Sequence, residues 1–413
     1  MRSLAVSLAS ACLLGAWASA ASAAPQVEFG IQDDAWLEFG PGRIDERVAK
    51  LDRLGFDVVR VTLSWHRTEP RPGEYRWTRA DRLLGALHRR GLAPVVTLWG
   101  TPDWANGGAS PNVAPLRGQD FYRFARAVAT RYPYVRHWVI WNEPNKPLWL
   151  RPVSARTYVT QILNPGYRGI KEVRPGARVA GGVTAPRGGN GALTPVDFIR
   201  KMKTAGARLD AYAHHPYPIY PGDTPFVGGC DCKTITMASL ERLLREVGAA
   251  FPRARIWLTE YGYQTNPPDL YGVTLAEQAR FIGKAARRVY AAPKVDMLIH
   301  YLYRDEPDLG RWQSGLETVR GRAKPAMAAT ALPLAQVLRK GIHTTVWGQV
   351  RPGKGAQQYV LQRLVGGRWV AVGSTRTTTA RGYFQRTVIA PRGARLRLWY
   401  PAQRLASPAL VVR

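Results

Sequence analysis

The stretch FDVVRVTLSW (residues 56–65), with RADRLLGALHRRG (79–91) and LAPVVTLW (92–99) after it, alternates a strand, a helix and a second strand. The first and last segments are apolar runs without polar alternation, which is typical of strands buried on both faces. Between them, apolar residues recur at helical spacing from Ala80 to Leu87. The stretch therefore predicts one βαβ unit of a parallel sheet.

The same alternation continues on both sides of this unit, so that residues 26–338 hold eight strand candidates and eight helical stretches. The other predicted strands are VEFGIQ (27–32), VRHWVIWN, ARVAGGV, DAYAHH, RIWLTE and DMLIHYLY. The other helices are predicted near 44–55, 121–132, 154–172, 194–206, 235–249, 275–290 and 325–339. Eight βα units over more than about 250 residues predict an α/β protein with a closed (β/α)8 TIM barrel.

After residue 340 the sequence changes to short, partly alternating runs separated by turns such as RPGKG and APRGA, which predict a small all-β module. We therefore divide the chain into a leader (1–23), a barrel (24–340) and a C-terminal β-sandwich-like module (341–413). The module holds twelve Lys or Arg and no Asp or Glu. This charge is compatible with binding to an anionic cell envelope or a polymer, whereas the lack of an evident aromatic platform favours packing against the barrel.

The first 23 residues run from one arginine through an apolar stretch to Ala-Ser-Ala, as a secretory signal peptide does. We place cleavage near Ala23 and expect a secreted, extracellular protein without a later transmembrane segment. After cleavage the cysteines are Cys230 and Cys232, and in an oxidising compartment such a pair can close a small disulfide ring. They lack the further ligands of a zinc site.

The formal net charge of +30 raises the question of an anionic partner. The excess is spread along the chain as arginine, without the Lys/Arg blocks of a nucleic-acid-binding arm, so we expect no nucleic-acid partner. An arginine-rich solvated surface and an acidic polysaccharide substrate both remain compatible with this composition.

The segment RHWVIWNEPNKPLW (136–149) places Glu143 at the end of the fourth predicted strand, and RIWLTEYGYQT places Glu260 at the end of the seventh. Barrel enzymes assemble their chemistry at the C-terminal ends of the strands, and strands 4 and 7 face each other across the barrel mouth. Glycoside hydrolysis needs two converging carboxyl groups, of which one protonates the departing oxygen while the other attacks the anomeric carbon.

The motifs WNEPN and LTEYG, so placed, resemble those of the clan A retaining glycoside hydrolases, with families 5 and 39 nearest in character. The resemblance covers roughly residues 26–338 and excludes the C-terminal module. It implies that Glu143 is the acid/base and Glu260 the nucleophile. We expect the apolar neighbours of Glu143 to keep it protonated and Arg60 to keep Glu260 ionised.

The resemblance also implies substrate-binding or positioning roles for several neighbours of the two glutamates. Asn142 matches the residue that bonds the sugar 2-hydroxyl, Arg60 the arginine beside the nucleophile, and His215 and Tyr217 an H-x-Y pattern. Many clan members carry a tryptophan at the end of strand 8. This sequence has HYLYRDEP there, so Tyr301 or Tyr303 is expected to take its place. No metal or organic cofactor is implied.

Several tryptophans are candidates for contact with sugar faces, because stacked aromatic side chains commonly hold carbohydrate. They are Trp65, Trp99, Trp104 and Trp149, and each is also large enough for a core position. His214 reads as a core histidine. Asp305 and Glu306 follow strand 8 and are expected either to touch substrate or to lie in a solvated loop.

We therefore expect a secreted retaining glycoside hydrolase that cleaves β-glycosidic bonds of a polysaccharide or oligosaccharide by double displacement. A transglycosylase is the nearest alternative, because a sugar hydroxyl can replace water in the second step. A non-catalytic carbohydrate-binding or envelope-binding protein on a barrel scaffold is the alternative from another class.

Overall fold

The computed structural model describes residues 26–229 and 233–413. Eight parallel strands, named β1 to β8 in chain order, close into a barrel in which β1 pairs with both β2 and β8. They are Glu28–Gln32, Val58–Ser64, Ala93–Trp99, His137–Ile140, Arg178–Thr184, Ala211–His214, Arg255–Tyr261 and Val295–Tyr301. The predicted fold class, a (β/α)8 barrel with a C-terminal all-β region, is confirmed.

Helices connect the strands on the outside of the barrel. Those described, α1 to α12, are Asp34–Phe39, Ile44–Arg53, Trp65–Thr68, Thr78–Arg90, Asp103–Asn106, Gly118–Arg131, Ala155–Thr157, Asn164–Val173, Pro195–Thr204, Leu240–Ala250, Leu275–Tyr290 and Pro325–Ala331. A π-helical turn, Tyr158–Leu163, joins α7 to α8. Helix α11 begins with a capping box between Thr274 and Glu277, which satisfies N–H groups at its first turn.

The inside of the barrel is filled by apolar side chains of the strands, including Val58, Val95, Val139, Trp257 and Met297, all fully buried. A second, larger apolar layer lies between the strands and the helices. The interior is therefore packed solid, and a ligand site can form only above it, where loops leave the strand ends.

The predicted helix over 325–339 is wrong in its second half. Helix α12 ends at Ala331, and Leu334–Lys340 is a strand, β9, that pairs antiparallel with the next strand. Pro333 lies between the two elements and is incompatible with a continuing helix, because it lacks an N–H group and restricts the residue before it. The C-terminal sheet thus begins before residue 341, where we placed the start of the module.

The C-terminal region consists of antiparallel strands. After β9, strands β10 to β17 are His343–Gln349, Gln358–Val365, Arg368–Ala371, Arg376–Thr377, Tyr383–Ile389, Arg395–Tyr400, Leu405–Ala406 and Leu410–Val411. Strands β9, β10 and β14 form one sheet, and the others form a second sheet centred on β11 and β15. The two sheets enclose a separate apolar cluster.

This module packs against the barrel at the ends where the strands begin. The Tyr383 hydroxyl donates to the carbonyl of Val27, just before β1, at 3.3 Å, and its ring lies 4.6 Å from that of Tyr290, which precedes β8. A Cβ on Gly55, just before β2, would stand 2.3 Å from the carbonyl carbon of Arg351. The contacts agree with the packing role expected for the module, and binding to an anionic cell envelope stays a prediction.

The predicted signal peptide and the cysteines Cys230 and Cys232 lie outside the described residues. Within 26–229 and 233–413, none of the helices combines the length and the apolar character needed to cross a bilayer.

Candidate functional site

The two glutamates singled out in the sequence meet at the C-terminal rim of the barrel. Glu260 is the penultimate residue of β7, and Glu143 follows β4 by three positions. Between them stands His215, whose Nδ1 lies 3.0 Å from Oε1 of Glu143 and 3.5 Å from Oε2 of Glu260. One nitrogen or oxygen atom from each of the three side chains lies within 4.8 Å of the corresponding atoms of the other two. The two carboxyl groups thus have oxygens no more than 4.8 Å apart, which suits a retaining pair better than an inverting pair, whose carboxyl groups stand about 6.5 to 9.5 Å apart.

A sharp turn of the backbone at the end of β4 carries Glu143 to this position. Trp141 and Glu143 have φ values of 75° and 36°, a left-handed conformation that costs about 1 to 3 kcal/mol for each non-glycine residue. Trp141 is held on both sides, since its N–H donates to the Leu98 carbonyl and its indole N–H to the Trp149 carbonyl, at 2.9 and 2.7 Å. These two hydrogen bonds hold Trp141 in the turn that positions Glu143.

Arg60, fully buried in β2, organises the nucleophile side of the site. Its Nη1 forms an ion pair with Oε1 of Glu260, and its Nη2 donates to Oδ1 of Asn142 at 2.8 Å. Its Nε donates to the Thr97 hydroxyl at 2.9 Å. Because the amide oxygen of Asn142 is taken by Arg60, its NH2 group is the part left to donate to a ligand in the cleft.

The charge state of Glu260 is set by its neighbours. Burial alone would raise the pKa of this carboxyl, but His215, Arg60 and the Tyr217 hydroxyl outweigh burial and hold the pKa below its ordinary value. Tyr217 donates to Oε2 of Glu260 at 3.1 Å. Burial, and next the negative charge of Glu260, raise the pKa of Tyr217 well above its usual value, so it stays a proton donor. Glu260 is therefore ionised at neutral pH.

The adjacent residues His214 and His215 point to different parts of the barrel. His215 is fully buried and contacts both glutamates, while its Nε2 lies 3.1 Å from the Thr259 hydroxyl. His214 faces away from the site and contacts Thr184 and the Ile235 carbonyl. Burial lowers the pKa of His214 to about 3, so it is a neutral core residue.

A cleft of about 690 Å³ opens above the glutamates. Its aromatic lining residues are Trp99, Trp149, Tyr217, Tyr301 and Trp312. They form two groups: Trp99 and Trp149 meet edge to face at 5.4 Å, and Trp312 lies over Tyr217 at 4.6 Å. Such rings present flat apolar faces that suit the C–H faces of sugars.

Two of the predicted substrate-binding tryptophans do not line the cleft. Trp65 is fully buried in the outer core, where its ring stacks on Phe124 at 5.4 Å and its indole N–H donates to Glu69. Trp104 packs edge to face on Trp65 and donates to the Glu69 carbonyl at 2.9 Å. Both predictions are corrected because these rings fill the space between α3, α5 and α6. Trp99 and Trp149 do reach the cleft.

At the end of β8, Tyr301 lines the cleft, whereas Tyr303 stacks on Trp36 at 3.8 Å and is buried away from it. Sequence reasoning missed Trp312, which brings an indole to the cleft from the loop after β8 and meets Tyr301 edge to face at 5.7 Å. The sequence offered one signal for this residue, because Trp312 lies in a loop predicted to follow strand 8 at the barrel rim. Its position depends on how that loop folds.

Buried polar contacts hold the loop that carries Trp312. Lys324 and Asp305 form an ion pair at 2.7 Å, with each side chain 1% exposed. The Lys324 ammonium also donates to the Thr265 hydroxyl at 2.8 Å and to the carbonyl of Gln313, next to Trp312, at 3.1 Å. Asp305 is thus a structural anchor, neither a substrate ligand nor a member of a solvated loop.

Replacing Lys324 with methionine should lower the free energy of unfolding by roughly 3 kcal/mol, because it leaves Asp305 buried without its partner. Urea unfolding followed by circular dichroism measures this change. The exposed Lys354, replaced in the same way, should change it by less than about 0.5 kcal/mol. Equal stabilities of the two variants would show that the ion pair does not anchor the loop.

Glu143, His215 and Glu260 also form the metal-ligand-like cluster found among the described residues. Protein donors already occupy this cluster, because Arg60 and Tyr217 bond the two oxygens of Glu260. Two carboxyl groups and a histidine with these partners suit acid and base catalysis better than coordination of a cation.

No protein-family model matches the sequence. Curated relatives match only part of it. β-Glucosidase 12 of Arabidopsis thaliana is 28% identical over 150 residues, 34% of this chain and 28% of the relative. The 6-phospho-β-galactosidase of Lacticaseibacillus rhamnosus is 29% identical over 112 residues, 25% of this chain and 23% of the relative. The chain thus spans about a quarter of the length of these relatives.

Solved structures match over most of the chain. A family 39 glycoside hydrolase from Bacteroides cellulosilyticus superposes with a TM-score of 0.62 and 18% identity, covering 89% of this chain and 79% of that one. Xylanase 10B of Thermotoga maritima gives 0.54 and 16%, covering 74% and 94%. At such identities the likeness establishes a shared fold. The resemblance to clan A barrels is confirmed at that level.

Proposed function

We propose that this chain, which has the barrel fold of clan A glycoside hydrolases, is a secreted retaining hydrolase of β-glycosidic bonds in a polysaccharide or oligosaccharide. One observation carries the proposal: two carboxyl groups from β4 and β7 converge under a carbohydrate-sized cleft, and one of them is held ionised. Protonation of a leaving group and attack on the anomeric carbon need such a pair.

In the first step, an oxygen of Glu260 attacks the anomeric carbon while the bond from that carbon to the leaving oxygen breaks. Glu143 gives its proton to the leaving oxygen, so the aglycone departs as a neutral alcohol. Arg60 and Tyr217 keep Glu260 anionic until the new ester bond forms. The NH2 group of Asn142 donates to the sugar ring beside the reacting carbon.

In the second step, Glu143 is a carboxylate and removes a proton from water. The water oxygen attacks the anomeric carbon and the ester to Glu260 breaks, which restores both side chains and retains the configuration. His215, 3.0 Å from Glu143, is placed to stabilise that carboxylate. A sugar hydroxyl in place of water would make the same intermediate a transglycosylation donor.

Intact-mass analysis with activated 2-deoxy-2-fluoro glycosides of glucose, xylose, galactose and glucuronic acid tests the proposal, because fluorine slows the second step and accumulates the ester. We expect one adduct, located by peptide mapping on Glu260, and none in Glu260→Gln. An adduct on another residue would contradict the assignment. A protein that binds glycans but releases no reducing ends from any of them would be a binding module.

The environment of Glu260 gives a pH prediction. Its lowered pKa keeps the nucleophile ionised in mildly acidic solution, so kcat/KM should fall only when pH drops below the ordinary range of a glutamate, near about 4.3. Arg60→Met removes a positive charge next to the carboxyl and should move this acidic limb to higher pH. The pH profile of kcat/KM measures the shift.

The matched control is Arg71→Met, because Arg71 is an exposed arginine paired with Glu74 on the surface. It should leave the acidic limb unchanged. An identical limb in Arg60→Met and the parent protein would show that Arg60 does not set the charge of the nucleophile.

A further inference from the structure

Among the residues that the structure describes, three cations in the wall of the cleft have no partner for their charged groups. Arg67, Lys146 and Arg187 follow β2, β4 and β5 and line the cleft. The structure gives their side chains neither an ion pair nor a hydrogen bond among the described residues. Two other cationic lining residues are paired, Arg79 with Glu38 and Arg311 with Glu306. The unpaired three are therefore available to a ligand.

The carboxylates that line the cleft already have protein partners. The acidic residues along the cleft wall are Glu143, Glu260 and Asp34. One oxygen of Asp34 accepts from the Thr62 N–H at 2.7 Å, and the other accepts from Gln32 and from the Thr62 hydroxyl, both at 3.0 Å. Neutral sugars offer hydroxyl groups that need acceptors as well as donors. The wall thus combines three cations that are unpaired among the described residues with carboxylates that already have partners, which suits a ligand that carries oxyanions.

The positions of the three cations bear on the size of that ligand. Arg67 follows β2, whereas Lys146 and Arg187 follow β4 and β5, so the three cations belong to different loops of the barrel rim. Cations from three separate loops suit a ligand with several charged groups better than a ligand with a single charge. The guanidinium groups can each form two parallel hydrogen bonds to a carboxylate or sulfate, and lysine supplies a point charge.

We infer that the cleft takes an anionic polysaccharide with carboxylate or sulfate groups on more than one sugar residue, bound by Arg67, Lys146 and Arg187. This inference rests on the proposed hydrolase function and names its substrate class.

The experiment uses the full chain and a panel of neutral, carboxylated and sulfated β-linked polysaccharides, with release of reducing ends as the readout. We expect turnover of charged members and a fall in rate with added salt, because ions screen exposed charges. The carboxylated and sulfated arms identify the anion. The triple variant Arg67→Gln, Lys146→Gln, Arg187→Gln should lose kcat/KM roughly tenfold to hundredfold on the charged substrate.

The matched control removes the same charges from the exposed surface of the C-terminal module, as Lys354→Gln, Arg368→Gln, Arg392→Gln, and should keep the parent kcat/KM. Preference for neutral members, or equal losses in both triple variants, would overturn the inference and leave the hydrolase proposal intact. Release of reducing ends from no member, with no fluoroglycoside adduct, would overturn the hydrolase proposal and the inference with it.

Discussion

Glu260→Gln is expected to reduce glycoside turnover by roughly 10⁴-fold or more, because an amide cannot form the glycosyl ester on which both steps depend. The loss should affect good and poor leaving groups alike, since the attacking atom itself is missing. Steady-state kinetics with aryl glycosides and with the polysaccharide substrate measure it. The side chain keeps nearly its original size, so the cleft should still bind substrate.

The matched control is Glu74→Gln, a change of the same chemistry at an exposed glutamate. It should retain the parent kcat. Thermal unfolding of both variants separates a catalytic loss from a folding defect. Residual turnover in Glu260→Gln within a factor of ten of the parent protein would exclude Glu260 as the nucleophile.

Glu143→Ala is the second large effect, and its size should depend on the leaving group. On polysaccharide the alkoxide leaving group needs a proton, so turnover should fall by about 10² to 10⁴-fold, the usual contribution of general acid and base catalysis. A 2,4-dinitrophenyl glycoside needs no protonation. Its first step should continue at a rate close to that of the parent protein, and a burst of dinitrophenol followed by slow turnover should result.

Azide distinguishes the roles of the two glutamates. It attacks without a general base, so it should accelerate breakdown of the glycosyl ester in Glu143→Ala and give a β-glycosyl azide by two displacements. In Glu260→Ala, azide would replace the missing nucleophile and give the α-product by one displacement. The product configuration is read by nuclear magnetic resonance. An α-azide from Glu143→Ala would reverse the assignment of the two residues.

The barrel could be predicted because its signals are local and repeated. Eight times along the chain, an apolar run without alternation is followed by a helical stripe with Gly or Pro near its end. The secondary structure of each unit can therefore be predicted from its own residues, without the rest of the chain. The prediction of a helix at Leu334–Lys340 was wrong because the local sequence does not decide between helix and strand there. An apolar stretch after a short helix fits either element, and only pairing with His343–Gln349 decides for a strand.

The reacting residues could be located from sequence because the barrel topology fixes where strand ends meet. Glu143, Glu260, Arg60, His215 and Tyr217 are each within or just beyond a strand, and the structure brings all five into contact. The cleft walls could not be located in this way. They come from loops, whose paths depend on contacts remote in sequence.

The sequence by itself determined the eightfold alternation and the two strand ends that carry carboxylates, because the apolar pattern of each segment is local and the barrel topology then fixes where the strand ends meet. Only the tertiary structure decided which tryptophans meet a ligand. It buries Trp65 and Trp104 and brings Trp312 to the cleft through the Lys324–Asp305 anchor. It also decided which cations of the cleft wall are unpaired within residues 26–229 and 233–413. Both outcomes depend on which side chains become neighbours, and composition and spacing carry no information about neighbours across loops.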